Sequence, residues 1–490
     1  MFRPAPAHIM APFPAVRLCL LFASGASVLA SMIPVPSPAQ LRYQSTDFVA
    51  LIHFNMATFA KNGDPGCNWA NWNTLEPYAM GKTRDPATFN PTRLNTSQWM
   101  ESITALGANI AVLTAKHGCG FLLWPTKARL PDGSAYNYSV GSPGAAIQYD
   151  VLQRFVDAAK EAGVGYGFYY SIMKNFYLCR GFGRLGANTC KTKILPGQLN
   201  LTDEEYHNLT TQLATELWTQ YGDLTDIWTD SVMGGLGPLM SKLQPQAVGT
   251  PANPKFWCGT ESGYPSRDVG GKEIWNMGKG YFGQANGTEW IPKFCDPTLI
   301  PNDVWFFEPG LSVRTLAELI DMYHDIVGRG MIMEIAFSIN RLGLVEDSHA
   351  RAYRLLGEWV QECYASPLAS VSGTGTFLQL RLPARFAYDR VMLQEDIVLG
   401  QRVRKYIIER STMGGAWVRV ATASAIGRKR IHLFSQTIQE EEGSILRLTI
   451  QDATATPMIR HFGVYAPCRR SEHDLQKDDR PAVEPFFKVT

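Results

Sequence analysis

The stretch Leu224-Thr225-Asp226-Ile227-Trp228-Thr229-Asp230-Ser231, followed by Val232-Met233-Gly234-Gly235, decides the fold. It reads as a short buried strand that stops at a carboxylate and then breaks on glycines. In a barrel of parallel strands, that end is where catalytic side chains gather. The competing reading is that Asp230 caps the helix that follows. The neighbouring segments decide between them.

Working outward, apolar runs alternate with amphipathic segments. Phe48–His53, Asn109–Ala115, Val164–Ser171, Lys255–Thr260, Asp303–Phe307 and Met331–Phe337 read as strands. Ser97–Leu106, Asp150–Ala162, Asp203–Tyr221 and the stretches 314–327 and 346–362 repeat their apolar residues at helical spacing, and Gly107 and Gly163 stop the first two. Strand and helix alternate from about residue 47 to 365, so an α/β fold is expected, with a (β/α)8-like barrel as its catalytic domain. A doubly wound open sheet is the rival, but no glycine-rich dinucleotide fingerprint follows the first strand. After residue 370 the runs are short and mostly alternate, which predicts an antiparallel β-sandwich. The domains expected are therefore a barrel over 46–368 and a sandwich over 369–468, with a charged tail over 469–490.

At the N-terminus, Arg17 precedes the short apolar core Leu18-Cys19-Leu20-Leu21-Phe22-Ala23, and Val28-Leu29-Ala30 offers a small-residue cleavage site. Residues 1–30 read as a secretory signal peptide, too short and interrupted for a good membrane span. The Pro/Ser-rich residues 31–45 read as a linker. Eight of the nine cysteines lie beyond the signal. An even count in an exported chain permits disulfides, Cys179–Cys190 being the easiest local pair. Sequons at Asn95, Asn137, Asn200, Asn208 and Asn286 fit a glycosylated exterior. The expected location is extracellular, or a vacuolar or lysosome-like compartment.

The net charge of +2, without a long basic run, points to neither nucleic acid nor a membrane as partner. No cysteine or histidine spacing suits zinc, so neither metal nor cofactor is expected. The 12 Trp and 19 Tyr exceed what packing alone needs, and such rings also stack on sugars. The strand ends carry His53, Lys116 with His117, Tyr169, Asp230, Glu261, and Trp305 with Glu308. A lone histidine closing an apolar run is more often a core residue, but packing gives no reason for six strands to end this way. Two carboxylates among histidines and aromatic rings suit glycoside hydrolysis, one attacking the anomeric carbon or activating water and the other protonating the leaving oxygen.

These residues carry a family resemblance. Phe89-Asn90-Pro91, Asn95 to Trp99, Leu113 through Phe121 with Trp124, Tyr169 through Ser171, Trp228-Thr229-Asp230, Trp257 through Gly263 and Glu289 through Phe307 resemble α-L-fucosidases of glycoside hydrolase family 29. They are similar in particular to the subgroup, including plant enzymes, that acts on α-1,3/1,4-linked fucose. The resemblance covers most of residues 47–465. It implies a retaining exo-α-L-fucosidase acting on fucosylated oligosaccharides or glycoproteins, with Asp230 as nucleophile and Glu261 as acid/base. His53, Trp72, His117, Tyr169, Trp228 and Trp305 then fall at sugar-contacting positions. This chain departs from the family at Gly118 and Cys119, where a second His and an Asp are usual. A Glu-Trp pair is replaced by Asn71-Trp72 or Asn68-Trp69, and Glu308 stands where relatives often carry His. Two alternatives stand beside this reading: a fucose-binding homologue without turnover, and a glycosidase of the same fold acting on another sugar such as galactose.

Overall fold

The computed structural model describes residues 33–59, 85–181, 187–191, 194–231, 233–270, 273–382, 386–411, 415–440 and 443–468. The signal peptide, Asn68, Trp69, Asn71, Trp72 and the charged tail lie outside the described residues.

Seven parallel strands form one curved sheet: β1 (Phe48–His53), β2 (Ile110–Lys116), β3 (Gly165–Tyr170), β4 (Asp226–Trp228), β5 (Phe256–Trp257), β6 (Lys293–Cys295) and β7 (Ile332–Ser338). Their order is β4-β3-β2-β1-β7-β6-β5. Beyond β4 the wall continues through Val248, whose carbonyl accepts from Ile227 N–H at 2.9 Å and whose own N–H donates to Thr225 at 3.0 Å. Eight segments thus follow one another in chain order around a (β/α)8-like barrel. β1, β2 and β7 are buried at every position, as expected of parallel strands covered on both faces, so their sequences read as continuous apolar runs rather than alternations. Gly167 in β3 shows a closer constraint: a Cβ there would run into the carbonyl of Asp226 on β4.

The helices begin where side chains can satisfy the free N–H groups of a first turn. Asn95 caps α2 (Thr96–Leu106), Asp150 caps α3 (Val151–Glu161), and Thr202 with Glu205 forms a capping box on α4 (Asp203–Thr219). Thr315 with Glu318 does the same for α5 (Leu316–Ile326), and α6 (Asp347–Tyr364) completes the ring. The segment expected to be a linker is different. Ser37 and Gln40 form a capping box on α1 (Pro38–Tyr43), and Tyr43 is fully buried. Proline at the first helical position starts this helix rather than preventing it.

Eight further strands form two four-stranded antiparallel sheets. One pairs 369–374, 458–465, 386–395 and 430–440; the other pairs 377–381, 445–453, 403–411 and 417–423. Their inward residues, including Tyr388, Leu393, Tyr406, Leu448 and Phe462, form a core separate from that of the barrel. Disulfide Cys363–Cys468 joins α6 to the chain beyond the last strand, and Cys179–Cys190 closes the loop after β3.

Candidate active site

The C-terminal ends of the strands meet in one aromatic cup. β1 delivers His53, β2 is followed by His117, β3 carries Tyr169, and β4 closes on Trp228. Ring centroids lie 5.8 Å apart for His53 and His117, 5.5 Å for His117 and Tyr169, and 4.5 Å for Tyr169 and Trp228. Trp305 arrives from the loop after β6 and packs on His53 at 4.6 Å. Five of the six sugar-contact candidates are therefore brought together; Trp72 lies outside the described residues.

Asp230 sits two residues beyond β4, half-buried at the rim. Its Oδ2 accepts from Ser171 Oγ at 2.6 Å, and its Oδ1 accepts from the N–H groups of Ile172 and Met173 at 2.8 and 3.0 Å. The Tyr169 hydroxyl stands 3.4 Å from Oδ2. This carboxylate is held from both oxygens by the turn that follows β3.

Glu261 lies four residues past β5, a shorter strand than the Lys255–Thr260 run suggests. Gly259 and Gly263 flank it with φ of 94° and 90°, conformations open to glycine and strained for other residues. Disulfide Cys258–Cys295 fastens this loop to β6. Trp305 Nε1 donates to Glu261 Oε2 at 3.0 Å. Burial pushes the Glu261 carboxyl above its ordinary value, and the Trp305 hydrogen bond opposes this. Three other acids further along the chain, Glu273, Glu289 and Glu308, are placed less well. Glu273 pairs with Arg430 of the sandwich at 3.4 Å and accepts from Ala425 N–H, whereas Glu289 is exposed. Glu308 follows no strand: Asn302 and Asp303 adopt left-handed φ of 65° and 56°, a tight turn that breaks the extended run expected over 303–307.

Both carboxylates act on the same neighbours. Burial lowers the Lys174 ammonium to about 6 while Asp230 and Glu261 pull it back up, and both raise the buried Tyr169 phenol. Burial also brings Lys116 down to about 7 against the pull of Asp230. It holds His53 at about 4 and His117 well below the usual histidine range, where the neighbouring His53, Lys174 and Lys116 add to the effect. Both imidazoles are thus neutral across mild acid and neutral pH. His117 Nδ1 is buried with no hydrogen-bond partner among the described residues. Among the described residues, no three His, Cys, Asp or Glu side chains converge on a point that could hold a metal ion.

Three groups in and beneath the cup were not singled out from the sequence. Asp296, the residue after β6, accepts from Trp257 Nε1 at 2.5 Å; burial, with Glu261 and Glu334 adding negative charge, pushes its carboxyl well up. Glu334 in β7 accepts from Trp228 Nε1 at 2.9 Å and from Lys255, which also pairs with Asp226 at 2.7 Å. These buried carboxylates fix the indoles that floor the cup. Lys174 is the third. Asp296 repeats the signal of a strand ending in a carboxylate, but three residues are too short a strand to notice.

A (β/α)8-like barrel whose strands end in two carboxylates among aromatic rings has the architecture of a glycoside hydrolase. The α-L-fucosidase family model matches residues 43–363, and the chain belongs to that family. Arabidopsis thaliana α-L-fucosidase 1 is 26% identical, the alignment covering 89% of this chain and 88% of that one. A Bacteroides thetaiotaomicron structure assigned as an α-L-fucosidase superposes with a TM-score of 0.73 at 26% identity, over 89% of this chain and all of its own. A family-29 fucosidase of Ruminococcus gnavus solved with fucose shares the fold, with a TM-score of 0.70 at 18% identity, over 89% of this chain and 96% of that one. The chain is thus a glycoside hydrolase, and its family hydrolyses α-L-fucosides.

Proposed function

We propose that the chain is a retaining exo-α-L-fucosidase in which Asp230 is the nucleophile and Glu261 the general acid and base. The carrying observation is the difference between the two carboxyl groups. Asp230 is oriented by three close donors, whereas Glu261 is held by one indole in a setting that favours its proton. A carboxylate held in place for attack and a second that can carry a proton are the two roles a retaining glycosidase needs. An Asp230 oxygen attacks C1 of fucose while Glu261 gives its proton to the departing glycosidic oxygen. Water then attacks C1, loses a proton to Glu261 and expels the Asp230 carboxylate. Two displacements at C1 leave the α-configuration.

His53, His117, Tyr169, Trp228 and Trp305 bind the sugar in this reading, and the rings shield the reacting centre from water. All five sequon asparagines are exposed, and three disulfides are present among the described residues; both support passage through a secretory, oxidising compartment. The deciding experiment is proton NMR of the first fucose released from an aryl α-L-fucoside. The α-anomer should appear first, and initial β-anomer would establish inversion and remove the nucleophile role from Asp230.

A further inference from the structure

Lys116 closes β2 and is 1% exposed, yet its ammonium is spent on backbone carbonyls. Nζ donates to the carbonyl of Ser171 at 2.5 Å and also to that of Lys174. The carbonyl of Lys116 in turn accepts from Ser171 N–H at 3.1 Å. Lys116 therefore grips both ends of the turn 171–174. That same turn supplies the three close donors to Asp230: the Ser171 hydroxyl and the N–H groups of Ile172 and Met173.

We propose that Lys116 is a positioning residue for Asp230, acting through the turn 171–174 rather than by touching substrate. The proposal rests on Asp230 being the nucleophile. A buried lysine is a costly way to satisfy two carbonyls, and its charge must be desolvated to do so. What it secures is a rigid turn with its N–H groups facing β4. Without the ammonium, two carbonyls lose their donor. The turn relaxes, and the Asp230 oxygens lose the donors that aim them at C1. An error of this size in an attacking group costs rate more than binding.

The test is a double-mutant cycle with Lys116→Met and Asp230→Ala, using an aryl α-L-fucoside with an acidic phenol, which needs no proton from Glu261. In the otherwise native chain, Lys116→Met should lower kcat by roughly tenfold to a hundredfold with KM within about twofold. In Asp230→Ala, added azide replaces the missing carboxylate and has no use for the turn, so the azide-rescued rate should not change on adding Lys116→Met. Should Lys116→Met fail to fold, Lys116→Gln keeps a shorter donor and should show the same pattern at smaller amplitude. Equal losses in both backgrounds would mean general damage to the site and overturn the proposal, as would an undiminished kcat in the native background. An Asp230→Ala chain that keeps native activity without azide strikes at the nucleophile assignment itself, and the positioning role falls with it.

Discussion

The indole N–H of Trp305 donates to Glu261 Oε2 at 3.0 Å while the same ring packs against His53 at 4.6 Å. One side chain therefore serves both as a wall of the cup and as a partner of the acid. The hydrogen bond favours the ionised carboxyl and opposes the burial that pushes the Glu261 carboxyl up. Trp305→Phe retains a ring and removes the donor, so the carboxyl should hold its proton to higher pH. Because the acid works only while protonated, the alkaline limb of kcat/KM should move to higher pH. The value at the optimum should fall by roughly tenfold. A pH profile on an unactivated fucoside checks this, and an unmoved alkaline limb would refute it.

Glu261→Ala should divide substrates by leaving group. A natural disaccharide needs its departing oxygen protonated, whereas an acidic phenol leaves unaided. Loss of a general acid costs on the order of a hundredfold to ten-thousandfold, and that loss should appear in full on the disaccharide and only weakly on the activated aryl fucoside. If both fall equally while Glu308→Ala or Asp296→Ala shows the split, the acid lies elsewhere.

Much of the barrel was legible because its long strands are apolar on both faces. β1, β2 and β7 therefore stand out as unbroken runs, and the caps at Asn95, Asp150, Thr202 and Thr315 mark the helices between them. β4, β5 and β6 are two or three residues long, and their pairing is set by neighbours rather than by their own sequence. The extended run around Trp305 misleads for a local reason, the left-handed turn at Asn302 and Asp303. In the sandwich, small and polar residues dominate the strands 369–374 and 430–440 and most of their surface remains partly exposed, so neither stands out as an apolar run. The carboxylate and histidine positions of the cup were readable from strand ends. Their supports, Glu334 and Asp296 under the indoles and the turn 171–174 around Asp230, were not, since those contacts join residues about 40 to 110 positions apart.

His53 should make stability depend on acid. Burial lowers its folded value from 6.5 to about 4, so above pH 6.5 both folded and unfolded chains carry it neutral. Between those values only the unfolded chain binds the proton, and stability is lost as pH falls through the window. A His53→Gln chain lacks this contribution. The native chain should therefore lose about 3 kcal/mol relative to the variant between pH 7 and 4.5, at about 1.4 kcal/mol per pH unit below 6.5. Chemical denaturation of both proteins at the two pH values measures the difference, and a constant difference would show that His53 does not titrate in this way.

The sandwich should stabilise the barrel without contributing to chemistry, and Asp47 is where this can be tested. It immediately precedes β1, at the end of the barrel opposite the cup. Its carboxylate receives Arg428 and Lys429 of the sandwich, each at 2.5 Å, and the Tyr323 hydroxyl at 2.8 Å. Burial alone would raise this carboxyl, but the two cations outweigh it and hold it well below the usual range. Arg428 also donates to the carbonyls of Gln44 and Thr46 at 3.0 and 2.6 Å, so the cations bind the backbone leading into β1. Asp47→Ala leaves two buried cations facing each other, a change that costs about 3–5 kcal/mol. Replacing all three by apolar residues should cost less, because no charge is then stranded. The melting temperature should accordingly fall further in Asp47→Ala than in the triple variant Asp47→Leu, Arg428→Met, Lys429→Met. Both chains should keep near-native kcat well below their melting points, since nothing at this end reaches the cup. A drop in kcat matching the drop in stability would give the sandwich a share in the site. A stable, fully active chain ending near residue 365 would show that the barrel needs no such support.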